Sequence, residues 1–210
     1  MPEPLLPLFP LSVVLLPSTP LPLHIFEERY KEMMEMLIPA QTEFGVVLAR
    51  DGGVVNIGCT ATIERVVQRY PDGKLDLLTR GRRRFRIISL DDEKDYLRAV
   101  VEYFNDDEAG DVPPVLRQRA IDAYRALRAI EPGGVTFEPR LEDPQVSFQL
   151  AQFIDDLDQR QTLLAIRSEV ERLERLVEFL PEYVARREKI LVARQLAPRN
   201  GHAKHFKDQG

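Results

Sequence analysis

The sequence predicts an α+β protein: a β-rich, barrel-like half containing one helix, followed by a bundle of helices. Three observations predict it. Before about residue 105, short apolar stretches of strand length recur between turn signals. Only Phe26 to Ile38 in that region repeats its apolar residues at helical spacing. After the run Asn105-Asp106-Asp107-Glu108-Ala109-Gly110 the period changes to helical for most of what remains. The expected division is 1–110 β-rich, 111–197 helical, and 198–210 a polar tail with little to bury.

From Pro4 to Phe26 no residue is charged, a run whose length alone would suit a signal peptide or a membrane span. Pro4, Pro7, Pro10, Pro17, Pro20 and Pro22 interrupt it, and each interior proline costs a helix about 3 kcal/mol. No Lys or Arg precedes Arg29, so a basic leader region is missing too. Short buried strands between proline turns fit better. Phe26, Tyr30, Met33, Met34, Leu37 and Ile38 then form one apolar helix stripe, expected to plug or cover the sheet and to end at Pro39. Met36 lies off that stripe.

Phe44 to Ala49 is a buried-strand pattern closed by the turn Asp51-Gly52-Gly53. Thr60 to Tyr70 and Leu75 to Arg80 flank Tyr70-Pro71-Asp72-Gly73, which has proline and glycine where a type I turn favours them. Alternation slips between Ile63 and Val66, predicting a bulge near Glu64-Arg65. Phe85 to Ile88 and Leu97 to Phe104 complete the strands.

In the second half, Asp111 caps a helix with Pro113 and Pro114 in its first turn, and Gly133-Gly134 stops it. Asp143-Pro144 starts another, with Val146, Leu150, Phe153, Ile154 and Leu157 on one face. A longer helix carries Leu163, Ile166, Val170, Leu173, Val177 and Leu180 at alternating intervals of three and four, a seam for a partner helix. Pro181 breaks or kinks it, and helix resumes from Glu182 to Leu196.

Composition narrows the function. Of 210 residues 44% are hydrophobic, enough for a sizeable core. The net charge of -5 gives no global attraction to nucleic acid or to an anionic membrane. The single cysteine, Cys59, cannot form an internal disulfide, and a cytoplasmic location is expected. Gly73-Lys74 is followed by Leu75, which excludes a P-loop, and no nucleophile elbow or dinucleotide loop occurs. A thiol–imidazole dyad would need Cys59 with His24, both in apolar strand-like surroundings where cysteine is a core residue. His202 and His205 offer two ligands, too few for a structural metal site. Neither enzyme activity, cofactor nor metal is expected.

The sharpest local feature is Arg80-Gly81-Arg82-Arg83-Arg84-Phe85-Arg86. It could grip phosphates while Tyr70 stacks a base, which keeps RNA binding open as the alternative function. It also reads as a solvated strand edge, screened by Asp91-Asp92-Glu93 and Asp106-Asp107-Glu108. Met36, Tyr70, Arg82 and Arg84 are the candidate contact residues.

Several segments together resemble the N-terminal domains of Lon-type ATP-dependent proteases. They are Leu8-Phe9-Pro10-Leu11, Val14-Leu15-Leu16-Pro17, Leu21 to Glu27 with Arg29-Tyr30, and Ile57-Gly58-Cys59-Thr60-Ala61. Asp72-Gly73 to Gly81, then Arg84-Phe85-Arg86-Ile87, continue the likeness, with Gln161 to Leu164 and Arg172-Leu173 in the helical half. The resemblance covers roughly residues 5 to 196. It implies a PUA-like pseudobarrel followed by a helical bundle. It also implies a role in capturing unfolded or tagged polypeptide and in oligomer assembly, with no catalytic residues. The partner expected is polypeptide or protein, bound weakly in extended apolar form at a sheet edge or in an apolar groove. The motor and protease parts of the resembled proteins are absent from these residues.

Overall fold

The computed structural model describes residues 5–107, 111–130 and 138–196, with side chains as far as Ala193. The glycine pair 133–134 and the tail 198–210 lie outside the described residues, as does part of the 105–110 junction. Seven strands come first: β1 (Leu6–Leu11), β2 (Pro20–Ile25), β3 (Phe44–Arg50), β4 (Gly53–Val54), β5 (Ile57–Arg69), β6 (Leu75–Asp91) and β7 (Arg98–Phe104). Helix α1 (Glu28–Ala40) lies between β2 and β3. The second half holds α2 (Pro114–Ile130), α3 (Val146–Ala151), α4 (Leu157–Ala165) and α5 (Glu169–Leu196).

The sheet runs β1-β7-β6-β5-β3, and β1 also pairs in parallel with β3, which closes a small barrel. Phe85 fills its interior together with Leu6, Leu8, Val47 and Ala99. Two glycines make room for that ring: a Cβ on Gly45 would sit 2.7 Å from Phe85, and one on Gly58 would sit 2.5 Å away. Helix α1 buries Tyr30, Met33, Met34 and Leu37 in a larger cluster that also takes in Phe9, Phe44 and Cys59, and runs on into the helices.

The expected strands Leu75–Arg80 and Phe85–Ile88 are one strand, β6, which serves two neighbours in turn. Its first part pairs with β2, its last part with β7, and β5 follows it on the other side. The handover comes at Gly81, which exchanges backbone hydrogen bonds of 2.9 Å with Ser18 and Thr19 in the β1–β2 connection. The bulge expected near Glu64-Arg65 is present as a register shift between Ile63 and Arg65. The Tyr70–Gly73 turn closes with a 3.0 Å hydrogen bond from the Gly73 amide to the Tyr70 carbonyl, and Gly73 takes φ 82.

Four helix expectations need correction. Pro39 lies inside the last turn of α1, where losing one backbone bond is tolerated, and Gln41 at φ 52 closes the helix. Pro181 leaves α5 continuous for 28 residues; it faces solvent, and buried Leu180 and Tyr183 hold the helix on either side. The proposed seam from Leu163 to Leu180 is split between α4 and α5. Ile166 turns extended there, and its carbonyl accepts from Arg84 at 2.6 Å and from Arg172 at 2.8 Å. Likewise Phe153 to Leu157 does not continue α3: Asp156 caps a new helix by accepting from the Gln159 amide at 3.0 Å.

Candidate functional site

Strands β2, β6 and the outer part of β5 form a ribbon beyond the barrel closure. Antiparallel register decides what shares each face. Ile25, Leu75, Leu23 and Leu77 turn inward and are buried. Outward lie the rows Pro22–Leu78–Arg65 and His24–Asp76–Gln68, with Val67 set between them by a further register shift. A mostly apolar depression of about 360 Å³ runs over this face, lined among others by Pro22, His24, Arg65, Val67 and Leu78.

Aromatic rings extend the face beyond the depression. Phe26 is 57% exposed, Val67 54% and Tyr70 39%, high values for large apolar groups gathered on one surface. The His24 ring stacks on Phe26 at 5.9 Å and meets Tyr70 edge-on at 6.0 Å. Asp76 ties them together: it lies 2.6 Å from Nδ1 of His24 and accepts from the Tyr70 hydroxyl at 2.7 Å. Hydrogen bonds from His24 and Tyr70 hold the Asp76 carboxyl below its ordinary pKa, and the same bond raises that of Tyr70. The trio is a positioning device that keeps two rings upright.

The arginine run is dispersed rather than clustered. Arg80 pairs with Glu64, Arg83 with Glu43 at 3.0 Å, and Arg86 with Glu102 at 3.5 Å. Arg82 is exposed and has no ion pair among the described residues. Arg84 corrects both readings of the run, because it is 3% exposed and can neither line a solvated edge nor touch a ligand. Its guanidinium donates to Asp106 at 2.6 Å and to the carbonyls of Leu164 and Ile166. Asp106 is shared with fully buried Arg172, which also pairs with Glu169 at 2.8 Å. Burial would raise the Asp106 carboxyl, but bonds from Arg172 and Gln145 bring it down to about 2. This clasp joins β6 and the end of β7 to the helices and is structural.

Of the four candidate contacts, only Tyr70 belongs to the exposed face. Met36 is 46% exposed on α1, and neither it nor Arg82 lines the depression. Val67 and Leu78 escaped notice, His24 entered only as half of a dyad with Cys59, and Phe26, expected on the buried helix stripe, precedes α1 and is exposed. The Cys59–His24 dyad does not form. Cys59 pairs with Arg84 and His24 with Asp76, eight residues apart on β6, or roughly 26 Å of strand. Burial also pushes the Cys59 thiol up to about 12. A larger cleft of about 1200 Å³ at the junction with the helices mixes acidic Asp107, Glu142 and Glu171 with Arg117, Arg167 and apolar Val170, so it is less apolar than the depression on the ribbon. No described helix is long and apolar enough to cross a membrane.

Comparison with known proteins places the chain. Residues 5–182 match the family model of the ATP-dependent protease La (LON) substrate-binding domain. Lon protease 1 of Hydrogenovibrio crunogenus is 24% identical over 180 residues, covering 79% of this chain and 22% of that protein. The chain thus spans about a fifth of the length of that curated relative. A Lon N-terminal domain protein from Xanthomonas campestris superposes with a TM-score of 0.68 and 29% identity, over 84% of this chain and 98% of that one. The N-terminal domain of Mycobacterium avium complex Lon protease shares the fold, with a TM-score of 0.59 at 15% identity, over 85% of this chain and 98% of that one. The matched region is a non-catalytic one. With a closed barrel, a following set of helices and a family match over most of its length, the chain belongs to the ATP-dependent protease La (LON) substrate-binding domain family.

Proposed function

We propose that the chain is a non-catalytic module that binds unfolded or extended polypeptide on the outward face of the β2–β6–β5 ribbon. The observation that carries this is the exposed group of Phe26, Val67 and Tyr70 beside an apolar depression on a rigid sheet. An apolar surface of this kind is what a soluble domain keeps exposed for a partner. The family's description as substrate-binding supports the same reading. The face is shallow and one-sided, so dissociation constants of roughly micromolar or weaker are expected, about -8 kcal/mol or less in magnitude.

The test is titration of a permanently unfolded, labelled protein into the wild-type chain and into a Val67→Asp variant. The expected result is saturable binding by wild type and a loss of about tenfold or more in the variant, because a bound peptide would bury the new carboxylate unpaired. Thermal stability should be unchanged, since Val67 is 54% exposed in the free protein. Equal binding by both proteins would place the site elsewhere, and no binding by either would end the reading.

A further inference from the structure

We propose that this face selects apolar segments that also carry an acidic group, a carboxylate being held by Arg65. The inference rests on the polypeptide-binding reading above and specifies its substrate.

The two open edges of the ribbon are poorly made for adding a strand. Pro20 and Pro22 occupy alternate positions of β2 and have no N–H to offer. Because they cannot donate to β6, the inward bonds fall to Leu21, Leu23 and Ile25, and the outer edge is left with His24 as its one amide over Pro20–His24. On the other side, the unpaired edge of β5 follows register shifts at Ile63/Arg65 and Val66/Gln68. Bulges of this kind twist an edge away from a regular partner. Selectivity must then come from the side chains of the face.

Among those side chains the charges are mostly matched within the protein. His24 lies on Asp76 at 2.6 Å, Lys74 on Asp72 at 2.7 Å, and Arg80 on Glu64. Arg65 is different. It is exposed, lines the apolar depression, and sits across from Leu78 in the row that continues to Pro22. Among the described residues its side chain has no hydrogen bond or ion pair. A positive group left unmatched beside an apolar floor complements a ligand that presents a negative group beside an apolar side chain. Aspartate, glutamate or a chain-terminal carboxylate supplies the same chemistry.

The experiment uses the full chain and three short peptides that share one apolar sequence and differ at a single position, Glu, Gln or Lys. Fluorescence anisotropy at low salt should rank them Glu, Gln, Lys, with the Glu peptide roughly two- to fivefold tighter than the Gln peptide, the size of an exposed ion pair. Arg65→Gln should bind the Glu and Gln peptides alike, and Arg65→Glu should favour the Lys peptide. The wild-type preference should fade at about 1 M salt, where screening acts over roughly 3 Å. Equal wild-type affinity for the Glu and Gln peptides, or a preference that survives Arg65→Gln, overturns the acidic selectivity and leaves the apolar reading standing. No binding of any peptide overturns both. A further peptide ending in a free or an amidated carboxyl separates a terminal from a side-chain source.

Discussion

Asp106 lies between two arginines that the chain brings from far apart, Arg84 on β6 and Arg172 on α5, at 2.6 Å from each. Removing a charge from such a group leaves its partners buried and uncompensated, so Asp106→Asn should cost about 3 kcal/mol or more in denaturant unfolding. Its pKa is lowered from about 3.9 in an unfolded chain to about 2. Its contribution is therefore full above pH 4 to 5 and is lost as pH falls toward 2; the variant should show a flatter decline over that window. Cys59 provides a second check at this scale. Its thiol is fully buried and pushed up to about 12, so a thiol reagent should label it only as fast as the protein unfolds. Rapid labelling under native conditions would contradict the packing. Cys59 was legible as a core residue from its apolar neighbours. Arg84 was not, because a buried arginine looks like its exposed neighbours until its partners are known.

At the scale of elements, β2 is the most informative. Its prolines read correctly from sequence as obstacles to a helix, and in the structure they also blunt a sheet edge. A peptide N-methylated at alternate residues should therefore bind within about twofold of its unmethylated form, since the proline-blunted edge contributes little strand pairing to lose. A large loss on methylation would indicate edge pairing after all. Gly81 gives the opposite kind of constraint. A Cβ there would lie 2.1 Å from the Leu16 carbonyl oxygen, a backbone atom that cannot step aside. Gly81→Ala should destabilise the fold at the upper end of about 1–3 kcal/mol, measured by thermal or chemical unfolding. The turn at Tyr70–Gly73 and the bulge beside Arg65 were legible because each has a local cause in residue type or alternation. The breaks around Ile166 and Phe153 were not, because they follow from distant groups: Arg84 and Arg172, which donate to the Ile166 carbonyl, and Tyr183, whose hydroxyl accepts from the Asp155 amide at 2.9 Å.

For the molecule as a whole, the distribution of charge bears on the RNA alternative. The arginines of the 80–86 run other than Arg82 each face a carboxylate, and the chain carries a net charge of -5. Binding of single-stranded RNA at physiological salt should be undetectable at micromolar protein; binding with a steep salt dependence that Arg82→Glu abolishes would restore that function. Sequence alone determined the class of fold, the division into a β-rich and a helical half and the lack of a P-loop, since periodicity, turn residues and motif spacing are local properties of a chain. Which strands meet is not local. The parallel β1–β3 closure, the sharing of β6 between β2 and β7, and the gathering of His24, Val67, Tyr70 and Asp76 on one face all depend on register. A shift of one residue would turn every side chain of a strand to the opposite face. Only tertiary structure decided those pairings, and with them which arginine is buried and which apolar groups are left for a partner.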